Sequence, residues 1–197
     1  MAGRPREFDR DEALNRAQGV FWARGYEGTS MADLVQATGL ASARLYAAFG
    51  SKEALFREAI ELYETEEGGF ADRALVEEPT AREAIRRMLR DAVEVYTDPE
   101  PRGCMVVSAA VNCSIANDRV RDWLEDHRRR HTESITSRLR AAEAAGELPP
   151  GTDVQALGDA FAALLHGLSV QARDGVPRQR LLALIGPALT LFDHSRG

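Results

Sequence analysis

Between Ser42 and Lys52 the sequence offers side chains suited to holding a nucleic acid, not to making or breaking bonds. At helical spacing, Ser42, Ala43, Arg44, Ala47 and Ala48 share a face that is small, free of acids and carries one long cation. Such a face can enter a DNA major groove. Arg44 can present a bidentate guanidinium to guanine O6 and N7. Ser42 can bond a base edge or a phosphate, and the alanines can touch thymine methyls. Lys52 stands at a helix start, where an ammonium and free backbone N–H groups together hold a phosphate, and Thr29 can act likewise one helix earlier. The arm Gly3-Arg4-Pro5-Arg6 is narrow and extended, so Arg4 and Arg6 could enter an A·T-rich minor groove. The alternative for the arm is a tail with incidental charge.

Two further groups could carry chemistry. Cys104 follows Arg102-Gly103 near a helix start, where the helix N-terminus and the arginine would favour thiolate. The alternative is a small buried apolar side chain. Cys113 is nine residues on, which advances a helix by about 13.5 Å, too far for one straight helix to bridge the two thiols. His127 and His131 are four apart, the spacing of a shared metal. Arg128-Arg129-Arg130 between them disfavours a cation, so the expectation is a solvated face with no metal and no cofactor. No nucleophile–base pair or phosphate loop is present, which leaves a small all-α enzyme as a remote alternative.

The elements that must position these residues are helical throughout. Apolar residues recur at helical spacing along the whole chain and no useful strand alternation is found. A first helix is predicted over Asp9–Arg24, with Leu14, Ala17, Phe21 and Trp22 inward. Thr29 or Ser30 then caps a helix over Met31–Thr38, Gly39 makes the turn, and a helix over Ala41–Phe49 follows. Leu34, Val35, Leu40, Leu45 and Phe49 point inward. Ser51 caps a fourth helix that Gly68-Gly69 kinks or interrupts. Breaks at Glu78-Pro79, Asp98-Pro99-Glu100-Pro101 and Leu148-Pro149-Pro150-Gly151 divide the remainder into helices near 80–97, 103–116, 118–145, 153–173 and 177–193. Gly186-Pro187 kinks the last of these.

The formal charge of the 197 residues is −6, which at first argues against nucleic acid. Residues 1–50, however, hold six arginines and six acids, so the whole excess lies beyond them. An acidic body with a locally basic edge can bind DNA through that edge. The longest apolar run, Cys104–Val111, is far short of the roughly 18 residues of a membrane helix. With no hydrophobic leader and two cysteines, the expectation is a cytoplasmic protein with reduced thiols.

The segment FDRDEALNRAQGVFWARGYEGTSMADLVQATGLASARLYAAFGSKEALFREAI resembles the DNA-binding domain of the TetR family of bacterial repressors. The shared marks are the aromatic end of the first helix, Gly-Tyr before Thr-Ser, the glycine turn, Leu-Tyr-x-x-Phe and Ser-Lys-Glu-x-Leu-Phe. The Gly-Cys at 103–104 is similar to that of a subgroup, some of whose members sense oxidants or electrophiles through such a cysteine. The resemblance implies an all-α protein with a helix-turn-helix DNA-binding domain over 1–50. A helical ligand-binding and dimerisation domain would fill 51–197, with the helix from 51 linking the two. It implies that Tyr46 donates its hydroxyl to a phosphate, and that an effector cavity lies among the middle helices. Candidate lining residues are Tyr63, Phe70, Met88, Tyr96, Met105, Asn112, Trp123, His127, Phe161 and His166, each of which could equally be core. The last two helices carry apolar residues on more than one side. One side can face a second chain, with Phe161, Leu164, Leu165, Leu168, Leu184, Ile185, Ala188, Leu191 and Phe192 as the dimer interface. The reading is a homodimeric repressor released from a pseudo-palindromic operator by a small molecule. The alternative is the same repressor switched by modification of Cys104.

Overall fold

A computed structural model describes residues 8–98, 100, 102–111 and 117–194. Arg4, Arg6, Asn112 and Cys113 lie outside the described residues. The described residues form helices joined by turns, with no strand among them.

Helix α1 spans Arg10–Arg24, one residue shorter than expected because Asp9 is its cap and accepts from the N–H groups of Asp11 and Glu12. It buries Ala13, Ala17, Phe21 and Trp22, while Leu14 is only half-buried. Helix α2 spans Met31–Thr38 and α3 spans Ser42–Phe49. Gly39 joins them at φ 72°, left-handed backbone that a residue without Cβ adopts freely. Leu34, Leu40, Leu45 and Phe49 fill the space between these helices. Helix α4, Lys52–Thr65, packs against α1 and α3 at its start and ends beside a 3₁₀ turn, Glu67–Gly69. The glycine pair therefore interrupts the helix instead of kinking it.

Helices α5 (Phe70–Glu77), α6 (Ala81–Thr97), α7 (Met105–Val111), α8 (Asp118–Ala144) and α9 (Val154–Arg173) make the second bundle, with α6, α8 and α9 packed on one another. The expected helix over 177–193 is three short pieces: α10 (Arg178–Leu182), α11 (Ile185–Leu189) and α12 (Leu191–His194). Pro187 has no N–H to continue the ladder. The chain there bonds at three-residue spacing, as from Leu184 N–H to Leu181 O and Thr190 N–H to Pro187 O. No helix of the described residues is long and apolar enough to cross a membrane.

Candidate nucleic-acid interface and buried cavity

Helix α3 is held from behind and left open in front. Leu45 and Phe49 are buried, whereas Ser42, Ala43, Arg44, Tyr46 and Ala47 are exposed and Ala48 is half-buried. Tyr46, at 47% exposure, is among the few large apolar-bodied side chains left in solvent. The helices on either side have capped starts. Ser30 and Asp33 form a reciprocal capping box on α2, and Ser51 accepts from Ala54 N–H at 3.0 Å on α4. Helix α3 is preceded at its cap position by Ala41, which has no side-chain cap to offer. Its first N–H groups thus remain available to a phosphate.

Charge pairing separates the cations of this half. Arg10 pairs with Glu58, with a 2.7 Å contact, and lies over the Phe49 ring. Arg16 pairs with Glu12, Arg24 with Asp33 and Arg57 with Glu53. Hydrogen bonds from the Ser30 side chain and backbone, aided by Arg24, hold the Asp33 carboxyl down at about 2. Among the described residues Arg44 has no carboxylate partner; its guanidinium lies 5.5 Å from the Phe8 ring centre. Lys52 places its ammonium 4.3 Å over the Tyr26 ring. Partial burial pulls its pKa down against the attraction of Glu27 and Asp33. Thr29 requires a correction. It is fully buried and its hydroxyl donates to Gly25 O at 2.7 Å, so it is not a surface anchor; Ser30 is the cap.

The second candidate site is a partly enclosed cavity of about 20 Å³ between α4, α5, α6, α7, α8 and α9. Of the expected lining residues Tyr63, Phe70, Tyr96 and His166 line it, together with Cys104, Val106, Val107, Arg128, His131 and Leu165, none of which was expected in its wall. Five expected lining residues lie elsewhere. Met88 and Met105 are core. Trp123 packs at a tilt on His127 and faces Phe56 and Arg57. His127 is buried against Glu64, with Nδ1 2.9 Å from Oε1, and Phe161 packs on Phe192. His131 Nε2 is 3.5 Å from the same Glu64 oxygen. Burial alone would raise the Glu64 carboxyl, but the hydrogen bonds from both histidines prevail and bring it down to about 2. The pair at i, i+4 therefore grips a carboxylate instead of forming a solvated face. No cluster that could hold a metal is found among the described residues.

Cys104 takes the buried apolar place that the sequence offered as the alternative to a thiolate. Burial pushes its thiol up, and the N–H of Val107 offsets this only in part. Arg102 lies over the Trp22 ring at 5.3 Å and near Glu100 at 3.6 Å, so it is engaged with other groups.

The cavity wall is tied to α1 through Gly103. Its carbonyl accepts from Trp22 Nε1 at 2.9 Å, its N–H donates to Tyr96 O at 3.2 Å, and the next N–H, of Cys104, donates to Ser169 Oγ at 2.8 Å. Gly103 has φ 68°, and a Cβ there would stand 2.5 Å from Ser169 O. Arg173 Nη2 also donates to Ala23 O at 3.1 Å. Helix α4 spans both regions, with Lys52 at the α3 end and Tyr63 and Glu64 at the cavity end.

Of the residues expected to meet a second chain, Phe161, Leu165, Leu168 and Phe192 are buried within this one. Leu184 and Leu191 are exposed, at 36% and 39%, while Leu164, Ile185 and Ala188 are half-buried. The outward stripe of α9 is made of smaller residues: Ala156, Ala160, Ala163, Gly167 and Val170. Phe161 turns inward because α12 folds back and brings Phe192 against it at 5.2 Å.

Residues 13–59 match the family model for bacterial regulatory proteins of the tetR family, and residues 81–183 match the tetracyclin repressor-like C-terminal domain. The HTH-type transcriptional repressor ComR of Escherichia coli (strain K12) is 32% identical over 192 residues, covering 96% of this chain and 91% of its own. The repressor BdcR of the same organism is 28% identical over 191 residues, covering 93% and 88%. Among solved structures, a cysteine mutant of the TetR family transcriptional regulator CifR, complexed with 26-bp double-strand operator DNA, aligns with a TM-score of 0.91. Its identity is 46%, over 96% of this chain and 100% of that chain.

Proposed function

Because the chain belongs to the TetR family of bacterial transcriptional regulators, we propose that α3 reads its operator and that the cavity around Tyr63 and Tyr96 decides when it does so. The protein is a DNA-binding transcriptional repressor and not an enzyme; it works on operator DNA as a dimer. The observation that carries the assignment to α3 is the freedom of Arg44 in a region where neighbouring arginines are held by carboxylates. Arg44 is the base reader, Ser42, Ala43 and Ala47 allow close approach, and Tyr46 and Lys52 are phosphate anchors. Arg4 and Arg6 extend the contact into the flanking minor groove. The DNA-binding unit is residues 1–50, with α4 passing into the unit from 51, and the protein acts in the cytoplasm. The test is a footprint on the intergenic DNA beside its own gene at low salt. One protected pseudo-palindrome with half-sites about 34–36 Å apart is expected; protection with no sequence preference would contradict the reading. Deleting residues 1–6 should erase protection at the outer flanks, and unchanged flanks would remove the arm from the contact.

The dimer face is the outward stripe of α9 with Leu184, Ala188 and Leu191. Ala163→Arg should leave a folded monomer by sedimentation, and an intact dimer would contradict this face. An effector in the cavity acts by preferring a dimer whose two α3 helices no longer match successive major grooves. Tyr63 provides the lever, since it stands in the cavity wall on the helix that carries α3. Modification of Cys104 is the second reading, favoured by its place in that wall. Operator release that is unchanged in Cys104→Ser would eliminate it.

A further inference from the structure

The cavity contains unsatisfied donors and no free acceptor charge. Arg128 lines it, and its Nη1 atom is buried without a hydrogen-bond partner. Tyr63 of α4 lines it too; its buried hydroxyl lies beside the Cys104 thiol and the Met105 backbone without a hydrogen bond of ordinary geometry. A buried donor left unpaired costs free energy until something accepts from it. His131 and His166 complete this polar side. Burial first, and then the neighbouring Arg128, lower the pKa of His166 and favour its neutral form, so Arg128 is the fixed charge on this side. The carboxylate next to them, Glu64, is already engaged by His127 and His131. Much of the remaining wall is apolar and includes Phe70, Val106 and Leu165.

We infer that the effector is a small organic monoanion, a carboxylate or its equivalent on an apolar body, whose head takes hydrogen bonds from Arg128 and Tyr63 while its body lies on Phe70, Val106 and Leu165. An anionic head accepts from both donors at once and neutralises the Arg128 charge. A neutral amide brings one acceptor and also two donors that face donors. A cation meets only repulsion. The free volume of about 20 Å³ holds little more than one water. A ligand must therefore part the walls, and Tyr63 on α4 is one of them. This inference rests on the cavity being the effector site.

The test uses the full-length dimer, with benzoate and hexanoate as probes and benzamide and hexanamide as their neutral counterparts, at matched ionic strength. At several times its Kd, one of the acids should raise the melting temperature by about 2–4 °C, with its amide having little effect. Arg128→Gln should abolish the acid's shift and Arg128→Lys should keep part of it. Val106→Phe, which fills the cavity, should abolish the response altogether. An amide as effective as its acid, a shift that survives in Arg128→Gln, or no shift with either acid would overturn the inference. A response to acid that persists in Val106→Phe would place binding elsewhere and overturn the cavity reading itself.

Discussion

Arg44 on α3 and Arg128 in the cavity are both guanidinium groups without a carboxylate partner among the described residues, and they stand in opposite environments. Arg44 is hydrated, so leaving it unpaired costs little, and it is ready for a polyanion that strips its water. Arg128 keeps one nitrogen buried, so leaving it unpaired costs more, and a ligand that satisfies it gains that cost back. The first arrangement favours fast, salt-sensitive binding to a large charged surface. The second favours selectivity for a small molecule of one charge. A regulator needs both, and here they lie at opposite ends of α4.

The contrast is sharpest for two tyrosines. Tyr96 is fully buried, and Tyr96→Ala should cost about 3–5 kcal/mol of stability, read by urea unfolding at fixed dimer concentration. Tyr46→Ala, on the α3 face, should change stability by less than about 0.5 kcal/mol while weakening operator binding. If both variants lose stability alike, α3 is part of the core and the comparison fails. Gly103→Ala should cost about 2–3 kcal/mol, since it adds a left-handed penalty to a contact with Ser169 O. A neutral result would mean that the tie between Trp22 and the cavity wall is slack.

Acid should expose a smaller difference. The folded Glu64 carboxyl is held at about 2 against an ordinary value of 4.5, so its contribution is complete above the ordinary value and is lost as pH falls toward 2. Glu64→Gln should therefore lower stability at neutral pH and flatten its decline between pH 4.5 and 2, measured by urea midpoints. Parallel wild-type and variant curves would show that the histidines do not hold the carboxylate.

The two sites also differed in how much of them could be read from the chain. The α3 region is local. Ser30, Gly39, Leu45 and Phe49 fall within twenty residues, and cap, turn and helical spacing each specify the same structure. Thr29 went the wrong way because two adjacent hydroxyls can both cap, and only packing decides which one is buried. The cavity is assembled from residues as far apart as Tyr63 and His166. Periodicity finds the apolar faces of α8 and α9, but not which neighbour each face meets. Arg128 was hidden in the run Arg128-Arg129-Arg130, where the other two are exposed. Phe161, which the spacing offers both to the cavity and to a second chain, serves neither, because its partner, Phe192, returns only after the last helix breaks into short pieces.

The central claim is that α3 reads bases through Arg44, and fluorescence anisotropy of Arg44→Ala on the footprinted operator and its single-base-pair variants tests it. The account predicts a loss of about 1–3 kcal/mol on the natural site and relaxed choice at one base pair in each half-site, with unfolding unchanged. Equal weakening on every sequence would show that Arg44 touches only phosphate and would contradict it.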